Sequence, residues 1–249
     1  MNKISFFTEV PTAHLEELDN VIDGHFCISS YCLQDPVYYD YYARHKTNKP
    51  VMLDNGMFED GHPISIEHLL AITKAIKPQV VFAPDQVGDA VLTKEMSVNF
   101  FHRCANDVDC KFSSIAFIPQ GSDALEVAVS YGQMYQWLRR QGIQYPIIGI
   151  SFLNDRDEVL QCINELYGGL FDTYHHFLGL YHIDEIKRWP KEIYSMDTIK
   201  PFKAAYYGHK IEDCPRGTGK WTTDMELVEE HKALLYRNIA KMHTTLTRG

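Results

Sequence analysis

A chain of 249 residues holds one large domain or two small ones, and α/β barrels commonly use about this length for a single domain. The composition is that of an ordinary globular protein, with no apolar run long enough to span a bilayer and no signal-peptide pattern at its start, so no membrane partner and a cytoplasmic location are expected. The net charge of −9 argues against a purely electrostatic nucleic-acid binder.

Charge is uneven along the chain. Residues 1–186 carry 12 Lys and Arg against 25 Asp and Glu, whereas residues 187–249 carry 12 against 8. A polyanion would therefore meet the C-terminal quarter, although ordinary surface variation gives the same pattern. The cysteines, at 27, 32, 104, 110, 162 and 214, have neither C-x-x-C pairs nor the spacing of a disulfide scaffold, and reduced thiols are expected.

In chain order, 4–7 and 25–29 are short β-prone runs with a helical stretch over 14–21 between them. A Tyr-rich segment opens at Asp35-Pro36 and reads as a helix with proline in its first turn. The third strand, 51–53, ends on Asp54-Asn55-Gly56. Ser65 opens a helix with Ile66, Leu69, Leu70 and Ile76 on one face, stopped by Pro78. The fourth strand, 79–83, is almost wholly apolar, as a strand covered on both faces should be, and Asp89 caps the helix that runs to about Ala105.

The fifth strand is 114–118, and Asp123-x-x-Glu126 resembles a capping box for a helix ending at Arg140 before Gly142. The sixth strand is 146–151; its helix carries Val159, Leu160, Ile163, Leu166 and Tyr167 and stops at Gly168-Gly169. The seventh strand is 176–180, followed by a short helix over 184–188, and the eighth is 193–196. Strict alternation of eight strands with helices predicts an α/β chain folded as a single (β/α)8 TIM barrel spanning 1–249, rather than an open sheet. No Gly-x-Gly-x-x-Gly follows the first strand, which weighs against the open alternative. After the eighth strand an irregular segment, 198–223, precedes a last helix with Leu227, Val228, His231, Leu234, Leu235 and Met242 in register. Lys200, Lys203, Lys210, Arg216 and Lys220 make that segment a candidate basic substrate loop.

Four strands end on a polar group where the chain must turn: Asp54, Asp85, Gln120 and Asp197. In a barrel these ends share one mouth. Each Asp alone reads as a turn former or cap; three carboxyls meeting at one point raise at least one pKa and yield a proton donor beside an ionised nucleophile. That is the requirement for cleaving a glycosidic bond.

Six stretches carry a resemblance: Leu53-Asp54-Asn55-Gly56-Met57-Phe58, Ala83-Pro84-Asp85, Pro119-Gln120-Gly121, Ile148-Gly149-Ile150, Phe177-Leu178-Gly179 with Asp184-Glu185-Ile186, and Met196-Asp197-x-x-x-Pro201. In order and strand context they resemble the motifs of the tRNA-guanine transglycosylase superfamily. They are most similar to its small, zinc-free phage-type relatives, which include proteins linked to 7-deazaguanine insertion into DNA. The resemblance implies exchange of a guanine-type or 7-deazaguanine-type base. Asp197 would be the nucleophile on the sugar C1′ and Asp54 the acid/base. Asp85 and Gln120 would be the base-recognition pair, Gly149 would offer backbone groups, and Leu178 would pack on the ring.

The implied partners are nucleic acid and a free purine or deazapurine base, with no cofactor. Members acting on tRNA carry a Cys-x-Cys-x-x-Cys and His zinc site after the last catalytic strand. Here that region has only Cys214, with His209 and His231 nearby, so no metal is expected and DNA is favoured over tRNA. Family members often pair, which leaves a homodimer as an open expectation. A glycosylase that lets water resolve the intermediate, and a barrel acting on a small nucleoside or sugar phosphate, are the alternatives. His175, His176 and His182 read as structural by default.

Overall fold

The computed structural model describes residues 4–44, 46–111, 113–153, 155–215 and 222–247. Its centre is a closed barrel of eight parallel strands: β1 (Ser5–Thr8), β2 (Gly24–Ile28), β3 (Val51–Asp54), β4 (Val80–Phe82), β5 (Ser114–Phe117), β6 (Ile147–Ser151), β7 (Tyr174–Leu178) and β8 (Ile193–Asp197). Closure is made by β1 pairing with β8, Phe7 opposite Asp197. The expected (β/α)8 barrel is therefore the fold.

Around it run α1 (Leu15–Leu18), α2 (Ser29–Gln34), α3 (Pro36–Ala43), α4 (Met57–Asp60), α5 (Ile66–Ile76), α6 (Ala90–Ala105), α7 (Ala124–Arg140), α8 (Arg156–Tyr167), α9 (Lys200–Tyr206) and α10 (Glu229–Leu246). A 3-10 turn, Ile183–Arg188, stands where the helix after β7 would be. Helix starts follow from local chemistry. Side chains of Asp35, Ser65, Asp89, Asp123 and Asp155 accept from the first free N–H groups of α3, α5, α6, α7 and α8. Each such cap contributes about 1 kcal/mol. Glu126 reaches back to the Ser122 N–H (2.7 Å), one residue before the cap, so the expected capping box is shifted by one position.

The segment 198–223 is not irregular as expected. It contains α9 and a 3-10 turn, Ile211–Asp213. Pro201 falls in the first turn of α9, where it is tolerated because the N–H it lacks has no intrahelical partner. Phe202, Ala204 and Ala205 then bury one face of α9. The helix is locked to α10 by Asn238, which is wholly buried: its Oδ1 accepts from the Ile211 N–H (2.9 Å), and its Nδ2 donates to the carbonyls of Pro201 and His209 (both 3.2 Å). Of the expected basic loop, Lys200 and Lys203 thus lie on a helix and Lys210 is exposed beyond it, while Arg216 and Lys220 fall outside the described residues. α10 itself starts later than expected; Val228 is exposed as its cap, and Leu227 is buried before it.

Inside the barrel, alternation along each strand sorts side chains between interior and helix layer. Phe7, Phe26, Phe82 and His176 meet in one interior ring layer. Outside, Phe6, Ile148, Ile150, Phe177 and Met196 join residues of α7, α8 and α10 in the surrounding core. Among the described residues no helix is long and apolar enough to cross a membrane.

Candidate functional site

At the carboxyl ends of the strands a cavity of about 330 Å³ opens above the ring layer. Asp54, Asp85, Gln120, Leu178 and Asp197 all border it, together with Lys200 and Lys203. Residues read from four separate strand ends do converge. Its floor and walls are largely apolar, from Phe26, Ile118, Phe152 and Leu178, a setting in which a few polar groups fix orientation.

The three aspartates are nearly buried, yet their partners differ. Asp85 has both carboxyl oxygens engaged by amides: Asn55 Nδ2 donates to Oδ1 (2.7 Å) and Gln120 Nε2 to Oδ2 (2.6 Å). Burial pushes Asp85 up to about 6, and these two hydrogen bonds hold it back from going further. Asn55 is itself fixed, donating to the Ala83 carbonyl (2.8 Å) and accepting from the Met57 N–H (2.9 Å).

Among the described residues Asp54 has one donor, the Gly56 N–H on Oδ2 (2.8 Å). Burial, then the neighbouring Glu59, and more weakly Asp85 and Asp197, drive its carboxyl well above the usual range; the Gly56 N–H only opposes them. A left-handed backbone at Gly56, φ 78°, turns that N–H back toward the strand end. Asp54 is accordingly harder to ionise than an ordinary aspartate.

Asp197 is met on Oδ1 by His176 Nε2 (2.9 Å) and by the Gly179 N–H (3.1 Å). Gly179 sits at φ 68°, and a Cβ there would collide with the Phe152 ring, so no other residue brings this N–H so close. The loop is pinned from behind by Arg156, which is almost wholly buried. Its Nη2 donates to the Leu178 (2.7 Å) and Gly179 (3.1 Å) carbonyls, its Nη1 pairs with Glu185 (3.1 Å), and its guanidinium lies 4.4 Å from the Phe177 ring centre. Burial pulls Arg156 down to about 10, which leaves it charged.

Three of the expected site residues are placed differently from expectation. Gly149 is buried beneath the cavity rather than bordering it. A Cβ there would come within 2.8 Å of Leu178 and 3.3 Å of Ile118, so its contribution is room for the floor, not a backbone donor. Gln120 turns an amide N–H to Asp85, so that N–H is taken, while its Oε1 is buried without a hydrogen-bond partner among the described residues. Lys210 is exposed and does not border the cavity, unlike Lys200 and Lys203; burial pulls Lys203 down and Glu9 opposes it.

Asn55, Glu59, Arg156, His176 and Gly179 were missed as site residues. Alternation carried the signal for one of them: with Leu178 facing the mouth, His176 two positions earlier must face the interior. The fold and site together define a (β/α)8 barrel with three differently partnered carboxyls around one apolar cavity. No protein-family model matches the chain, and no curated protein matches it in sequence.

Proposed function

We propose that the protein is a base-exchanging transglycosylase that cleaves an N-glycosidic bond in nucleic acid, DNA rather than tRNA. It does so through a covalent intermediate on Asp197 and inserts a guanine-type or 7-deazaguanine-type base. The observation that carries this reading is the unlike setting of two carboxyls on one cavity: Asp54 pushed toward its protonated form by burial and neighbouring carboxyls, Asp197 an acceptor for two donors. Asp197 attacks C1′ as the C–N bond breaks, the bonding pair leaves with the base, and Asp54 gives that base its proton. The incoming base returns a proton to Asp54 and displaces Asp197. The Asp85 carboxyl and the Gln120 Oε1 both accept, which suits a base edge with adjacent N–H donors. A base reaching this depth must leave its stack.

The test is to incubate the protein with guanine-containing DNA oligonucleotides, quench in denaturant and look for a protein–DNA adduct. Wild type should form it, and Asp197→Ala, with its fold intact, should not. Abasic sites appearing without added 7-deazaguanine would instead identify a glycosylase. A second reading has one observation in its favour: Lys200 and Lys203 border the cavity itself, where they would suit the phosphate of a free nucleotide. Turnover of a nucleotide with no DNA binding at low salt would select it.

A further inference from the structure

Resting on the reading above, we propose that His176 is a positioning residue for Asp197: with Ser195 behind it, it holds one carboxylate oxygen and leaves the other as the attacking atom. His176 is wholly buried in a layer otherwise made of phenylalanines. An imidazole there has lost water on every side, which is unfavourable unless both nitrogens are satisfied. Both are: Nε2 meets Asp197 Oδ1 at 2.9 Å and Nδ1 meets Ser195 Oγ at 2.8 Å. The ring lies flat on Phe26, at 5.8 Å and 3° between planes, with Phe82 against it at 5.3 Å, so it has one orientation.

The backbone is built to give this alignment. Between β7 and β8 the register shifts, with His175 opposite Ile193 but His176 opposite Ser195, so that β8 carries one extra residue, Tyr194. A bulge of this kind re-aims the side chains that follow it. Ile193 keeps its place in the helix-layer core, while Ser195 and Asp197 both turn to the interior. Without the bulge, His176 would face Tyr194.

Serine, histidine and aspartate in a row suggest a serine nucleophile, but the order in space forbids it. Ser195 lies behind the ring and does not border the cavity; the carboxylate does. A carboxylate only accepts, so Nε2 carries the hydrogen, and the Ser195 hydroxyl donates to Nδ1 and fixes that tautomer. Both donors to Asp197, His176 and the Gly179 N–H, take Oδ1, and no described residue donates to Oδ2. Attack therefore runs through Oδ2: its lone pair forms the bond to C1′, the C1′–N pair leaves with the base, and the base takes its proton from Asp54. Oδ1 becomes the ester carbonyl and keeps its two donors, ready for the reverse step.

The test compares wild type with His176→Phe, His176→Gln and Ser195→Ala by rapid-quench formation of the covalent adduct on a guanine-containing oligonucleotide. Titration of free guanine and thermal unfolding run beside it. His176→Phe should slow adduct formation by about 10²–10³-fold, the usual loss for one aimed donor. Guanine binding should change less than about twofold and the melting temperature stay near wild type, with His176→Gln recovering at least about tenfold of the loss through its amide N–H. In ¹⁵N-histidine spectra one imidazole should be a fixed Nε2–H tautomer that begins to average in Ser195→Ala. An unchanged adduct rate in His176→Phe, or an imidazole that already averages in wild type, overturns the inference while the adduct itself upholds the function. No adduct in wild type overturns both.

Discussion

Replacing Asp85 with asparagine should flatten the pH dependence of stability by an amount set by one buried carboxyl. In the folded protein burial pushes Asp85 up to about 6, and in the unfolded chain an aspartate titrates near ~3.9. A carboxyl raised by folding favours the native state while it is protonated in both states. That contribution is complete below about pH 4 and is lost as pH rises through about 6. The gap is roughly two units at about 1.4 kcal/mol each, or about 3 kcal/mol in all, of which about 2–2.5 kcal/mol disappears between pH 4 and pH 8. Asparagine cannot titrate. It also faces Asn55 or Gln120 with an N–H where both now donate to oxygen, which adds an offset of about 1–3 kcal/mol that is the same at every pH. The quantity to follow is therefore the wild-type stability minus that of Asp85→Asn, from urea unfolding at pH 4, 6 and 8. It should shift toward the variant by about 2–3 kcal/mol across the series. A difference constant to within about 0.5 kcal/mol would show that Asp85 titrates alike in both states and that the burial argument is wrong.

Asp54→Asn removes the proposed proton donor and should slow base departure by about 10²–10⁴-fold in a single-turnover assay. In wild type the same step should be full at pH values below the raised Asp54 value and fail as pH rises through it, the basic limb vanishing in the variant. Gly179→Ala places a methyl group against Phe152 at a left-handed backbone position, and should cost about 1–3 kcal/mol in thermal unfolding. Since the Gly179 N–H also reaches Asp197, adduct formation should fall with it; unchanged stability would mean the loop has an alternative seat.

The barrel was legible because strands covered on both faces carry near-continuous apolar runs, and 51–54 and 80–82 show this with no exposed residue. Four of the cavity's polar residues followed from the strand-end rule alone. The seventh strand was read two residues late, as 176–180, because Tyr174 and two histidines look unlike a strand, while Gly179 and Leu180 continue the apolar pattern past its end. Asn55 was hidden inside a sequence that equally describes a turn, and the hydrogen bond from its side-chain amide to Asp85 spans 30 positions. The bulge at Tyr194 has no mark in the sequence: the misfit is between two strands, and only their pairing displays it. Gly149 misled for a related reason, since the same missing side chain can expose a backbone group or make room for a neighbour, and here it is Leu178 that fills the room.

Three aspartates of identical chemistry stand at the ends of β3, β4 and β8, and what separates them is the partner each is given by the chain around it. Asp54 precedes a glycine turn that returns, among the described residues, a single N–H, and its other near neighbours are carboxyls, so its proton is held more tightly than in an ordinary aspartate. Asp85 receives two side-chain amides, one from the loop after β3 and one from the end of β5; neutral donors moderate its burial without supplying charge. Asp197 receives an imidazole from the neighbouring strand and a backbone N–H from the loop that follows that strand. On the proposed reading, carboxyls given such unlike partners divide into acid, reader and nucleophile by environment alone. Exchanging the partners should therefore exchange behaviour more readily than exchanging the aspartates, which is why the bulge, the Gly56 turn and the Arg156 clamp belong to the chemistry as much as the carboxyls do.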